Sequence, residues 1–220
     1  MIESMIKIWM KYYYVFIDGL VGTLWLSLVT VALGTIVGTL IALMRLSRWK
    51  VLYGLTSAYI EVLRGTPQLL QLYFFWLLLP KVLPFSMSDT TCIVVALIVN
   101  SSAYVAEVIR AGIQAVDKGQ TEAAKSLGMS DKNTMRYIIL PQAVKNILPA
   151  LGNEFIVMVK ATSLASVFFV GELMTSYKTV QSSTFLAIPT LTIVGIIYFA
   201  VNFVLSKLLK VFERRLQASD

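Results

Sequence analysis

Long apolar segments separated by shorter polar ones make up most of the chain. The longest of them runs from Gly19 to Met44, about 26 residues, and contains no charged side chain. An α-helix rises about 1.5 Å per residue, so roughly 20 apolar residues cross the hydrocarbon core of a bilayer. The pattern therefore predicts an all-α membrane protein with a first spanning helix at about residues 19–44.

Four further segments are apolar enough to span a membrane. They lie at about residues 55–79, 90–109, 147–170 and 184–206. The sequence thus predicts five transmembrane helices in a membrane domain at 19–215. Residues 1–18 are expected to form an N-terminal segment outside the cytoplasm, and 216–220 a C-terminal tail.

Basic residues divide unevenly between the two sets of loops. One set contains only Lys7, Lys11, Lys81 and Lys178. The other contains thirteen: Arg45, Arg48, Lys50, Arg110, Lys118, Lys125, Lys132, Arg136, Lys145, Lys207, Lys210, Arg214 and Arg215. Because cytoplasmic loops carry an excess of Lys and Arg, we predict the N-terminus outside the cell and the C-terminus in the cytoplasm. The basic tail is expected to contact membrane lipid, and no motif supports nucleic-acid binding.

Composition agrees with a membrane protein and limits its chemistry. Hydrophobic residues make up 57% of the chain and charged residues 14%, a balance that soluble domains do not reach. No histidine is present, and the single cysteine, Cys92, cannot form an intramolecular disulfide. None of the twelve glycines belongs to a phosphate-binding G-x-x-x-x-G-K-[ST] loop, and no hydrolase motif is found. We therefore predict that the chain is not an enzyme and holds no cofactor or metal.

The longest polar interval, at about residues 110–146, lies on the predicted cytoplasmic side. Thr121 is expected to cap a short helix, and Gly128 suits the left-handed residue that ends it. Ser130 is expected to cap a second helix, and Pro141 to turn the chain back toward the membrane. The interval therefore indicates an ordered element at the mouth of the bundle; the simpler alternative is a solvated helical hairpin.

The spacing within this interval resembles a known motif. It consists of Glu122-Ala123-Ala124, three residues, Gly128, nine residues, Ile138, one residue and Leu140-Pro141. This is similar, without a gap, to the EAA loop of ATP-binding-cassette (ABC) importer permeases. The segments VLRGTPQLLQL, NSSAYVAEVIRAGI and NEFIVMVKATSLASV resemble the polar amino-acid branch, of the histidine, glutamine, arginine and cystine type. The resemblance implies the type I ABC importer permease fold.

The resemblance also implies partners. A helix at about 121–129 would dock on a separate ABC ATPase dimer, which binds the ATP and Mg²⁺. The docking residues implied are Glu122, Ala123, Ala124, Leu127 and Gly128. A second permease copy, identical or related, and an extracytoplasmic substrate-binding protein would complete an importer in a bacterial inner membrane. An alternative for Glu122 is that it braces the loop through Lys125.

Ionisable groups in spanning helices are costly and mark candidate sites. Arg64 precedes Gly65-Thr66-Pro67, where we expect a kinked or broken helix, and it could bind a substrate carboxylate or pair with Glu61. Asn100 could hydrogen-bond a polar ligand or another helix. Glu107 is expected to pair with Arg110 near the cytoplasmic interface.

The fourth span contains Glu154, Thr162 and Ser163 together with Lys160. Glu154 and Lys160 are six residues apart and so point about 120° away from each other. Relatives carry an acid or amide immediately before the Thr-Ser pair, where this chain has Ala161, which weakens a direct transfer of the family's site. We expect five residues to line the pathway: Arg64, Asn100, Glu154, Thr162 and Ser163.

These residues predict an importer permease for polar or charged amino acids. Arg64 would bind the carboxylate and Glu154 the amino group of the substrate. The alternatives are a permease specific for arginine or lysine, which excess carboxylate would favour, and an ATP-independent secondary transporter. The pair Gly34-x-x-x-Gly38 in the first span predicts a close helix crossing.

Overall fold

The computed structural model describes residues 1–47 and 49–217, and every regular element in them is helical. Arg48 and residues 218–220, which belong to the predicted basic side and tail, lie outside the described residues. The elements are α1 (Ile2–Arg45), α2 (Lys50–Gly65), α3 (Gln68–Val82), α4 (Asp89–Gln114), α5 (Lys118–Ser126), α6 (Asp131–Thr134), a π-helical turn (Met135–Ile139), α7 (Leu140–Ala161), a 3₁₀ helix (Thr162–Phe168), α8 (Leu173–Thr184) and α9 (Ala187–Gln217).

Helix α1 is continuous from Ile2 and does not begin at the predicted Gly19. Its 44 residues are about 66 Å long, roughly twice the thickness of a hydrocarbon core. Its N-terminal half buries Ile8 and Phe16 in a cluster with residues of α8 and α9. The first helix is therefore longer than its uncharged stretch, because apolar residues before Gly19 pack on the end of the bundle.

Helices α1 and α4 cross at the two glycines of the Gly34-x-x-x-Gly38 pair. A Cβ atom built on Gly34 would lie 2.8 Å from Ser101 Oγ, and one on Gly38 would lie 2.7 Å from the carbonyl oxygen of Ser102. Real Cβ atoms do not approach other atoms so closely. The predicted close crossing is confirmed, and it places α4 in the centre of the bundle.

Four helical stretches in the described residues are long and apolar enough to cross a membrane. They are α1, α4, the run Asp131–Phe168 and Ala187–Leu216. The remaining predicted span, at 55–79, is interrupted at Thr66 and Pro67, which have extended backbone angles and separate α2 from α3. The expected break is confirmed, and a count of five spans stays a prediction.

The segment between α4 and α7 is helical, with boundaries that differ from the prediction. Helix α5 begins at Lys118, because the Asp117 side chain accepts a hydrogen bond from Gly119 N at 2.6 Å; Thr121 is not its cap. Gly128 has a φ of 81°, and Ser130 caps α6, both as predicted. The cap is shifted because a competing acceptor, Asp117, stands one turn earlier.

Pro141 does not turn the chain, contrary to the prediction. Proline in an α-helix lacks an N–H and clashes with the carbonyl four residues earlier. Here the preceding turn widens to π geometry, in which Leu140 N donates to Met135 O. The side chain of Gln142 also donates to the Ile138 carbonyl at 2.9 Å. The helix therefore continues from α6 into α7 without a break.

Candidate functional site

Helix α4 is the scaffold of the candidate site. Polar side chains at Asn100, Ser101, Tyr104 and Glu107 face groups from α1, α2, α3 and α7. These positions are separated by steps of one and three residues, so they occupy neighbouring faces of one helix within about two turns. A single buried helix thus organises the polar contacts of this part of the bundle.

Asn100 contacts the break between α2 and α3. Its Nδ2 donates to Gln71 Oε1 at 2.8 Å, and Gln71 Nε2 donates to the carbonyls of Leu63 at 2.7 Å and Thr66 at 3.1 Å. Both amide side chains are buried. The helix-to-helix bond that we considered for Asn100 is therefore present, and it supports carbonyls that the broken helix leaves without backbone partners.

Glu154 is buried within the bundle and is 8% exposed. The Ser101 hydroxyl faces its carboxyl group. Within residues 1–47 and 49–217, no lysine or arginine forms an ion pair with Glu154. A carboxyl group in this position is stabilised by taking up a proton or by binding a cationic group.

Glu107 binds the guanidinium groups of three arginines. Arg45 Nη1 lies 3.0 Å from Glu107 Oε2, Arg110 donates from Nε at 2.9 Å, and Arg64 Nη1 lies 3.8 Å from Oε1. The predicted Glu107–Arg110 pair is confirmed. Arg64 pairs with Glu107, and among the described ion pairs none joins Arg64 to Glu61. The cluster links α1, α2 and α4.

The other two predicted residues begin the 3₁₀ helix that follows α7. Thr162 is buried, and its Oγ1 donates to the Val159 carbonyl, while Ser163 Oγ donates to the Lys160 carbonyl. Both hydroxyls therefore bond their own helix. No described hydrogen bond or ion pair links Thr162 or Ser163 to Arg64, Asn100 or Glu154, so the five residues form separate contacts around α4 and α7.

The predicted docking residues lie on α5 and the turn after it. Ala124 is buried at 5% exposure, whereas Glu122, Ala123, Leu127 and Gly128 are exposed, Leu127 by 84%. The predicted 121–129 helix thus corresponds to the second half of α5 and its C-terminal turn.

The brace considered for Glu122 is not formed. Lys125 pairs instead with Asp131 at 3.0 Å, which joins α5 to α6. Glu122 has no ion pair among the described residues.

Two further polar residues were not identified from the sequence. Gln71 had a signal, since it lies one turn after Pro67 and can reach the carbonyls freed by the break. Glu172 is fully buried and caps α8, accepting from Met174 N at 2.7 Å, Thr175 N at 2.6 Å and Tyr198 Oη at 3.2 Å. Burial raises the pKa of the Glu172 carboxyl above its ordinary value.

The sequence and the fold are similar to those of known transport proteins. A family described as the binding-protein-dependent transport system inner membrane component matches residues 31–218. The chain is 38% identical to the arginine transport system permease protein ArtQ of Bacillus subtilis, over 93% of each chain. It is 35% identical to the glutamine transport system permease protein GlnP of Escherichia coli K12, over 91% of this chain and 92% of the relative.

Solved structures show the same likeness. A crystal structure of an amino acid ABC transporter with histidines has a TM-score of 0.90 and 48% identity, over 94% of this chain and 96% of the other. The inward-facing MetNI methionine ABC transporter, at 17% identity and a TM-score of 0.75 over 92% and 96%, shares the fold. The chain therefore belongs to the family of binding-protein-dependent transport system inner membrane components, the membrane permeases of ABC transporters.

Proposed function

We propose that this chain is the permease subunit of an ATP-driven importer for polar or charged amino acids in a bacterial inner membrane. Its relatives are named for arginine and glutamine transport. The chain forms the pathway together with a second permease copy, identical or related. An extracytoplasmic substrate-binding protein delivers the amino acid, and the excess of Lys and Arg in one set of loops supports a cytoplasmic C-terminus.

An ABC ATPase dimer supplies the energy through α5 and its C-terminal turn. Leu127 supports this assignment together with the EAA spacing, since it is 84% exposed and its burial against a partner would remove apolar surface from water. Ala124 packs inward and holds the helix to the permease. ATP and Mg²⁺ bind the partner, and nucleotide-driven movement reaches the bundle through α6 and α7.

The observation that carries the substrate assignment is the buried Glu154 carboxyl without a cationic partner in the described residues. The amino group of a substrate would neutralise it. Arg64, half-exposed at the α2 break, supplies the complementary charge for the carboxylate. Asn100 positions the break through Gln71, and Thr162 and Ser163 contribute hydroxyls from the 3₁₀ helix after α7.

The test is substrate-stimulated ATPase activity of the reconstituted permease–ATPase complex over a panel of amino acids. Glu154→Gln removes the charge with little change in shape, and Arg64→Ala removes the guanidinium. We expect each variant to lose stimulation while basal ATP hydrolysis persists. Unchanged stimulation in both variants, at equal amounts of assembled complex, would refute the pocket.

A permease specific for arginine or lysine is the second candidate. Glu154 favours it, because an unpaired buried carboxyl also suits a guanidinium or ammonium side chain. Arginine and lysine would then stimulate ATP hydrolysis and glutamine would not.

A further inference from the structure

The three arginines around Glu107 are held with unequal geometry. Arg45 and Arg110 donate to its carboxylate at 3.0 and 2.9 Å, within hydrogen-bond distance. The closest approach of Arg64 is 3.8 Å, which is beyond hydrogen-bond distance. Arg64 is therefore the weakly held member of the cluster.

Arg64 is also the most exposed of the three arginines. The side chains of Arg45 and Arg110 are 18% and 30% exposed, and that of Arg64 is 42% exposed. The Arg64 guanidinium lies over the Tyr104 ring, 5.5 Å from its centroid. A flat aromatic face supports a guanidinium in more than one position, because stacking does not depend on one hydrogen-bond direction. Arg64 thus has room to move along Tyr104.

The backbone that carries Arg64 is fixed, in contrast to its side chain. Gln71 binds the carbonyls of Leu63 and Thr66 on either side of it, and Asn100 holds Gln71. The end of α2 is therefore tied to α4, and movement is confined to the Arg64 side chain. Glu107 remains bound by two arginines when Arg64 departs, so its charge stays neutralised.

The charges of the cluster do not balance. Three guanidinium groups surround one carboxylate, so the cluster has a net charge of about +2. Glu61, one turn earlier on α2, forms no described ion pair with Arg64. The cluster can accept a further anion at its most exposed member. In an amino-acid permease, the anion that arrives at this point is the substrate carboxylate.

We propose that Glu107 is a positioning residue that competes with the substrate for Arg64. Without substrate, Arg64 rests between Tyr104 and Glu107; with substrate, its guanidinium turns to the amino-acid carboxylate, while Arg45 and Arg110 retain Glu107. Glu107 thereby weakens substrate binding and favours release. This inference rests on the proposed role of Arg64 in the substrate pocket.

The test is equilibrium binding of radiolabelled arginine and glutamine, and of their C-terminal amides, to the purified permease–ATPase complex in lipid nanodiscs. Glu107→Gln removes the competing charge. Glu107→Asp keeps a negative charge for Arg45 and Arg110, but its shorter side chain moves the carboxylate about one bond length away from Arg64. This variant tests the competition if Glu107→Gln does not assemble. We expect both variants to bind the amino acid about twofold to fivefold more tightly and the amide unchanged.

Arg64→Ala is the control background. In that background the Glu107 substitutions should have no effect on binding. Two results would overturn the competition but retain the role of Arg64 in the pocket. In the first, the Glu107 variants bind the amino acid and its amide more tightly by the same factor. In the second, the Glu107 variants bind the amino acid no more tightly than wild type, while Arg64→Ala weakens its binding. If Arg64→Ala leaves amino-acid binding unchanged, the proposed role of Arg64 in the pocket fails, and the competition fails with it.

Discussion

Asn100 and Gln71 form a buried hydrogen bond of 2.8 Å that joins α4 to the break between α2 and α3. Gln71 uses its amide nitrogen for the carbonyls of the break and its oxygen for Asn100. The bond therefore fixes the backbone on both sides of Pro67, including the end of α2 that carries Arg64.

Replacing Gln71 with leucine should destabilise the permease by about 1–3 kcal/mol, because the buried Leu63 carbonyl, the partly buried Thr66 carbonyl and the Asn100 amide lose their partner. The measurement is the thermal unfolding midpoint of the solubilised permease. Asn100→Leu should cost less, and the double variant less than the sum of the two, since both substitutions remove the same bond. Strict additivity would contradict a shared interaction.

Gly38→Ala should destabilise the crossing of α1 and α4 by about 1–3 kcal/mol, because the new methyl group meets the Ser102 carbonyl and must move the backbone. The matched control is Gly195→Ala in α9, where an added Cβ meets no atom within 4 Å. That variant should be neutral or slightly stabilising. Equal thermal midpoints for the two variants would show that the crossing is not tightly packed.

Substitutions at Gly128 test the proposed docking role of α5 by changing only the backbone of the turn that follows it. It has a φ of 81°, and a Cβ built on it meets no atom within 4 Å. Gly128→Val should distort the turn after α5, since the left-handed region costs a β-branched residue more than about 1–2 kcal/mol. We expect the variant to insert normally and its transport to become uncoupled from ATP hydrolysis. Gly128→Asn, which tolerates this conformation, should remain coupled. Normal transport by the valine variant would exclude a role for the turn.

Leu127→Ser should weaken ATPase binding about tenfold or more without changing the stability of the isolated permease, because the variant loses the roughly 1.5–3 kcal/mol that burial of an exposed leucine side chain against a partner contributes. Leu127→Met retains apolar surface and should bind normally. Affinity is measured by titrating purified ATPase onto the permease in nanodiscs. If the serine variant binds as tightly as wild type, Leu127 is not an anchor.

Glu172 should make stability depend on pH. Its pKa is raised by burial in the folded protein, whereas the unfolded value is about 4.3. The native state then binds more protons than the unfolded state between the two values, so stability should fall as pH rises from about 4.3 through the folded pKa.

Glu172→Gln should lack this slope. The variant also carries a constant cost, because its amide N–H groups face backbone N–H donors of α8. The measurement is the unfolding midpoint of both proteins between pH 4 and 8. Parallel curves would show that Glu172 does not change its protonation across this range.

Local features of the fold were predictable from short-range rules. The Gly34 and Gly38 spacing predicted the helix crossing, the Thr66-Pro67 dipeptide predicted the break, and Gly128 and Ser130 were read correctly as a helix end and a cap. Each of these depends on a few neighbouring residues, whose conformational preferences are known.

Features that depend on distant parts of the chain were not predictable. Arg64 had a candidate partner one turn away, yet it pairs with Glu107 on another helix, because tertiary packing decides which charges meet. Residues 1–18 were predicted as a separate N-terminal segment because they contain charges, but Ile8 and Phe16 are buried against α8 and α9 and α1 continues through them. Glu172 gave no signal, since its burial is created by α1, α8 and α9 together.

The π-helical turn before Pro141 has a mechanical consequence. A break at Pro141 would have acted as a joint, at which a movement of α5 and α6 is lost in bending. The wide turn instead keeps the helix continuous from α6 into α7, and the extra residue in the turn rotates the part after it by about 100° relative to the part before it. A tilt imposed at Asp131 is therefore transmitted through this turn into α7, the helix that carries Glu154.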